Sequence, residues 1–269
     1  MAVMLKNTII KIQIFAVEVF RRLIFAPKIK NVIKKKALNL VYKEYGNKIA
    51  FGPFAGMSLS LDPWWGSYDQ ISKILGEYEK EVLNKLCNFL KLNQNTIFID
   101  IGAADGFYAI GVAYKNLAKH VYAFEISLKG QEELKKNSLT NKCNHKITIQ
   151  GKANFENLYK ISNELNNAVI IIDIEGDEYN FLEEKILKLF KFSYLIVELH
   201  PNKIKNGQIL ENHLIDRAKG YFKVSKIYRE DLKPNSFKIF NQLPDDERLL
   251  VFSEGRSRNP KWLVLEPKF

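Results

Sequence analysis

Between residues 96 and 199, short apolar runs alternate with stretches of helical period, and this alternation constrains the fold more than any other feature of the chain. The runs are Thr96–Ile101, Val121–Phe124, Ile147–Gln150, Ala168–Ile174 and Tyr194–Leu199, and helical spacing fills 107–118, 129–138 and 178–190. Strands that alternate with helices predict a parallel sheet covered by helices, a doubly wound Rossmann-like α/β fold. Runs 168–174 and 194–199 are almost unbroken apolar sequence, as a strand buried on both faces must be, so both are expected at the centre of the sheet. After a helix near 208–219, Tyr221–Ile227 and Leu249–Phe252 read as closing strands. The polar loop between them, with Pro234 and Pro244, is placed to act as a lid.

Ahead of the alternating region, Val82, Leu83, Leu86 and Leu90 recur at helical spacing, and 49–61 reads as a small hairpin punctuated by Gly52-Pro53 and Gly56. A chain of 269 residues suits one catalytic domain with extensions. The boundaries are drawn as an N-terminal helical and hairpin extension over 1–75, the catalytic domain over 76–255 and a tail over 256–269, in which Trp262-Leu263-Val264-Leu265 is the one apolar stretch.

The net charge of +11 points to nucleic acid only until it is located. Residues 1–48 hold eleven Lys/Arg against two Glu, so the rest of the chain carries only +2. A basic arm on a nearly neutral body is not the spread of charge a nucleic-acid binder shows, and nucleic acid is not the expected partner. The arm mixes its cations with Ile9, Ile10, Phe15, Val17, Phe20, Leu23 and Ile24. It reads as a peripheral membrane contact, or as an apolar face packed on the body or on a second copy in a homo-oligomer. Lys11, Gln13, Glu18, Arg21 and Arg22 interrupt residues 9–25, whereas a membrane span needs roughly 20 apolar residues. No secretory cleavage site follows, and Cys87 and Cys143 form no metal or disulfide pattern. A cytoplasmic protein is expected, at most peripheral to the inner face of the membrane.

The strongest chemical signal is Asp100-Ile101-Gly102-Ala103-Ala104-Asp105-Gly106-Phe107, where a strand enters a turn of small residues that opens a helix. Ligands of doubly wound sheets sit beyond the carboxyl ends of the strands, against such a turn. Glu125 ends the next strand 19 residues after Gly106, where a carboxylate can accept hydrogen bonds from ribose hydroxyls. The GxGxxG phosphate fingerprint is absent and an acid in the turn repels phosphate, which disfavours a nicotinamide dinucleotide. S-adenosylmethionine carries no phosphate and is cationic at its methionine end, so Asp100 and Asp105 suit it. Asp100, Gly102, Ala103, Asp105, Gly106, Phe107 and Glu125 form the expected cofactor set.

Two further signals are Asp173-Ile174-Glu175-Gly176-Asp177-Glu178 and Val197-Glu198-Leu199-His200-Pro201, at the ends of the two central strands. Adjacent strands are about 4.8 Å apart, so Asp173, Glu198 and His200 can converge beside the cofactor turn. His200 is the expected general base, oriented by Glu198 or Asp173. The same three groups also suit a divalent cation such as magnesium, and Asp173 and Glu175 read equally as helix caps. Trp64, Trp65 and Tyr68 are candidates for stacking on a sugar, or for ordinary packing.

With Gly76-Glu77-Tyr78-Glu79, the strand end and turn Ile99–Tyr108, Tyr122–Glu125, Ile172–Gly176 and Val197–His200, the sequence resembles the FkbM family of methyltransferases over roughly residues 76–200. The resemblance implies a seven-stranded sheet with an antiparallel last strand, S-adenosylmethionine as donor and oxygen as the acceptor, frequently on a sugar. That points to a glycan hydroxyl as the acceptor. The family's usual Gly-Ala-Asn turn reads Gly102-Ala103-Ala104 here. The rival readings are a binding protein that kept the fold without turnover, and a nucleic-acid methyltransferase using the arm.

Overall fold

The computed structural model describes residues 27–268 apart from Trp64, Trp65, Tyr68, Gln94, Asp231, Leu232 and 254–259. The arm's apolar residues Ile9 to Ile24, and the stacking candidates Trp64, Trp65 and Tyr68, therefore lie outside the described residues.

In chain order the elements are α1 (Pro27–Tyr45), α2 (Gln70–Ile74), α3 (Lys80–Leu92), β1 (Ile97–Ile101), α4 (Phe107–Tyr114), β2 (His120–Phe124), α5 (Leu128–Thr140) and β3 (Ile147–Gln150). There follow α6 (Phe155–Tyr159), β4 (Val169–Ile172), α7 (Glu178–Phe181), α8 (Glu184–Leu189), β5 (Tyr194–Glu198), α9 (Gly207–Ala218), β6 (Phe222–Tyr228), α10 (Asp245–Val251) and β7 (Lys261–Pro267). One seven-stranded sheet runs in the order β3-β2-β1-β4-β5-β7-β6. The first five strands are parallel, and β7 is antiparallel to both β5 and β6.

Alternation along each strand sorts the side chains into two layers. Phe98, Ile171, Ile196 and Val264 pack with Val82, Leu86 and Leu90 of α3 on one face. Ile99, Ile170, Ile172, Val197, Leu263 and Leu265 face the other layer, against Leu187 and Leu214. The two apolar runs expected at the centre are central, because β4 lies between β1 and β5, and β5 between β4 and β7.

Two expectations at the carboxyl-terminal side are corrected. Residues 249–252 are not a strand, because Pro244 and the acids Asp245, Asp246 and Glu247 open α10, where negative charge suits a helix start. The closing strand comes instead from 256–269, whose apolar run Trp262–Leu265 is buried on both faces between β5 and β6. The helix expected over 178–190 is two, α7 and α8, separated at Leu182 and by the extended backbone of Glu183.

A third cluster caps the molecule away from the sheet. Ala37 and Val41 of α1 pack with Ile71, Ile74, Phe240, Val251 and Phe252, so this part of the arm lies on the body. The loop with Pro244 is anchored there by buried Phe240 and Leu243. Lys48 and Ser58 form an antiparallel bridge within the expected hairpin. Among the described residues no helix is long and apolar enough to cross a membrane.

Candidate active site

The strand order reverses between β1 and β4, and in open α/β sheets the crevice beyond the carboxyl ends at such a point binds ligands. Gly102 ends β1 and Asp173 ends β4, and they meet. A Cβ on Gly102 would lie 1.8 Å from the Asp173 carbonyl oxygen, and its φ is +90°. Only glycine allows this approach. A wide depression of about 580 Å³ opens at the opposite, amino-terminal ends of β1 and β4, but its lining of Lys91, Asn93, Asn95, Thr96, Asn166 and Asn167 offers no acid or imidazole.

On the β1 and β2 side, acidic side chains hold the turn. The Gly102 and Ala103 amides donate to the Phe124 carbonyl at 2.9 and 3.0 Å. Asp100 is buried and accepts from the Ala109 amide at 3.0 Å, which ties β1 to the first turn of α4. Glu125 accepts from the Ala104 amide at 2.8 Å with Oε2 and from the Ser127 amide at 2.7 Å with Oε1. A Cβ on Gly130 would come within 2.8 Å of the Glu125 Cγ, so the glycine makes room for the carboxylate. Ala104 sits at φ +50°, a left-handed position that asparagine enters more readily than alanine.

Burial raises the Asp100 carboxyl to about 8, against the opposing pull of the Ala109 amide and with help from Asp173, Glu125 and Asp105. The strand ends thus hold more negative charge than the fold itself neutralises. Asp105 is half-buried and faces Lys73, a buried lysine of α2 paired with Asp69 at 2.8 Å. Burial alone would pull Lys73 down, but Asp105 and Asp69 outweigh it and hold the amine above its ordinary value. The Lys73 ammonium stands over the rings of Tyr78 and Phe107 at 4.9 and 5.2 Å. Phe107 packs among Phe54, Tyr78 and Tyr108, with its ring in the core.

On the β4 and β5 side, Asp173, Glu198 and His200 converge. His200 Nε2 lies 3.7 Å from Asp173 Oδ1 and 3.8 Å from Glu198 Oε1. The orienting group, however, is neither of them. His200 Nδ1 lies 2.8 Å from Oε1 of Glu178, whose side chain is fully buried. The same oxygen accepts from the Ile174 and Gly176 amides at 3.2 and 3.1 Å, which fixes Glu178 in the turn. Glu175 adds a fourth carboxylate, 3.6 Å from Nε2 and paired with Lys203. Neither Asp173 nor Glu175 caps α7, whose N-cap residue is Asp177. Burial and the nearby Glu79 raise Asp173, and His200 offsets part of that rise. Glu79, itself buried, accepts from the Tyr108 hydroxyl and brings one more acid to the crevice.

This seven-stranded sheet, with β7 reversed and acids at the ends of β1 and β2, is a doubly wound Rossmann-like α/β sheet. No family model matches the chain. A curated protein of Staphylococcus aureus (strain COL), the uncharacterized RNA methyltransferase SACOL1957, is 28% identical over 101 residues, which are 38% of this chain and 22% of the relative. The match thus spans about a fifth of that relative's length. Among solved structures, the tRNA methyltransferase TrmK of B. subtilis gives a TM-score of 0.44 at 14% identity, over 68% of this chain and 64% of its own. TYW2 of M. jannaschii in complex with AdoMet gives 0.42 at 13%, over 68% and 73%. The precorrin-6y C5,15-methyltransferase of Geobacter metallireducens GS-15 gives 0.45 at 14%, over 69% and 86%.

Proposed function

We propose that this protein is an S-adenosylmethionine-dependent O-methyltransferase acting on a hydroxyl of a carbohydrate, in a surface polysaccharide or a lipid-linked glycan. The observation that carries this is the placement, across one switch point, of an acid-lined turn without a phosphate fingerprint beside an imidazole ringed by carboxylates. The donor suits the turn by charge, since a cationic ligand offsets the acids gathered there and favours ionisation of Asp100, whose carboxyl burial holds protonated at neutral pH. When bound, S-adenosylmethionine supplies an electrophilic methyl group on a sulfonium. Backbone of the Gly102–Gly106 turn and the Glu125 carboxylate would hold it.

The chain's own task is then to align an acceptor oxygen and remove its proton. Glu178 holds Nδ1 of His200, so Nε2 faces the crevice as the proton acceptor. The O–H bond of the acceptor breaks toward Nε2 while the oxygen gains the methyl carbon, and the electron pair of the broken C–S bond stays on sulfur. The choice of oxygen and of a sugar follows the resemblance to the FkbM family described above.

A second reading, methylation of RNA, draws support from the name of the curated relative and from the basic residues of 1–48. Asp173, Glu175, Glu178 and Glu198 around one imidazole weigh against it, because a phosphodiester backbone entering there meets like charge. Calorimetric titration of S-adenosylmethionine and its demethylated product into wild type and Glu125→Ala, with a nicotinamide dinucleotide as control, tests the donor. Binding that the substitution weakens supports the reading, and no binding at millimolar ligand ends it. Transfer of labelled methyl to glycans against tRNA then separates the two acceptors.

A further inference from the structure

The distances around His200 raise a question that proton removal alone does not answer. Nε2 stands 3.6, 3.7 and 3.8 Å from oxygens of Glu175, Asp173 and Glu198. Nδ1 already lies at hydrogen-bond distance from Glu178, a carboxylate held by two backbone amides, which assigns the ring proton to Nδ1. A ring nitrogen and several carboxylate oxygens therefore face one small space. Oδ1 of Asp173 is shut off from solvent and has no hydrogen-bond partner.

We propose that Asp173, Glu175 and His200 form a divalent-cation site. One ligand atom from each lies within 4.8 Å of the others. Hard ions that hold oxygen ligands at about 2.1 Å, such as magnesium or manganese, fit a pair of carboxylates with one imidazole. Glu178 supplies the outer carboxylate that commonly fixes the tautomer and direction of a metal-bound imidazole. The Asp173 and Glu175 side chains are 40% and 55% exposed, so the outward side of the site stays open to water or to an acceptor hydroxyl. Lys203, now paired with Glu175, is the charge that the ion displaces.

The inference rests on the proposed reading of this crevice as the seat of the acceptor, and it reassigns one role within it. With an ion held there, Nε2 would be a ligand rather than the proton acceptor, the cation would acidify an acceptor hydroxyl, and Glu198, 3.8 Å from Nε2, would be the carboxylate beside it to take the proton. An acceptor that offers a second oxygen beside its hydroxyl, as a vicinal diol of a sugar does, would hold the ion through both.

The test is an electron paramagnetic resonance titration of Mn²⁺ into the full chain, with S-adenosylmethionine binding followed separately by calorimetry. One Mn²⁺ per chain is expected, with a directly bound nitrogen seen by spin echo that His200→Ala removes. Glu175→Gln, at an exposed position, and Asp173→Asn should each weaken binding by about tenfold or more. No Mn²⁺ binding at millimolar metal, binding that none of the three substitutions changes, or binding without a nitrogen signal would overturn the site. Donor binding without metal binding removes the cation and leaves methyl transfer standing; metal binding without donor binding does the reverse.

Discussion

The two halves of the crevice use the same residue types for different work. On the β1 and β2 side, Asp100 and both oxygens of Glu125 take backbone amides, so these acids are parts of the turn's own architecture. On the β4 and β5 side Glu178 alone takes that structural duty, and Asp173, Glu175 and Glu198 are left ringing an imidazole. Substitution in the first half should therefore disturb folding and donor binding together. In the second half, Glu178 apart, it should disturb turnover and leave folding and donor binding in place.

His200→Ala gives the largest expected effect. Turnover should fall by about 10²–10⁴-fold, whether the imidazole takes the proton itself or holds the cation that acidifies the hydroxyl, while donor affinity stays at the wild-type value. Steady-state rates beside calorimetry check this, and unchanged rates would erase the distinction between the halves. Gly102→Ala comes next, because its new Cβ has no room against the Asp173 carbonyl and its backbone is left-handed. A loss of about 3 kcal/mol is expected from strain of this kind, read by urea denaturation. A stable Gly102→Ala protein would show that the ends of β1 and β4 can separate.

Glu125→Ala sharpens the contrast at a smaller scale. It leaves the Ala104 and Ser127 amides without their acceptor, which costs about 1–3 kcal/mol where water cannot replace it. Donor affinity should fall in the same variant. Loss of affinity at full stability would move Glu125 from the architecture of the turn to direct ligand contact alone.

What the sequence disclosed follows the same division between backbone and tertiary contact. Strands such as Val169–Ile172 were legible because burial on both faces requires an unbroken apolar run, and acids at strand ends were legible because the topology fixes where those ends lie. Trp262–Leu265 has the same kind of run, but a polar segment stands directly before it in place of an apolar stretch of helical period, so in sequence the alternation that marks a parallel strand is missing. Leu249–Phe252 misled for the opposite reason, since four residues fit one helical turn as well as a short strand, and the acids before them decide for helix. Glu178 reads in sequence as an ordinary acid at a helix start, and Lys73 as a surface cation. Only the packing of α7 under β5, and of α2 against Tyr78 and Phe107, buries them.

Asp100→Asn tests how much charge the architectural half stores. The folded carboxyl titrates at about 8, well above its ordinary 3.8, mainly through burial. Between those two values the folded protein holds a proton that the unfolded chain has released, so stability falls as pH rises through this window and levels off above it. Each unit of the shift is worth about 1.4 kcal/mol. Asparagine can still accept from the Ala109 amide but does not titrate, so wild type and Asp100→Asn should diverge in Tm from pH 5 to pH 9, with the variant the more stable at the alkaline end. A cationic donor bound nearby favours the ionised carboxyl, so its saturation should shrink the difference by releasing the proton. Parallel Tm curves would mean that Asp100 is ionised throughout, and that the turn already neutralises its acids without any ligand.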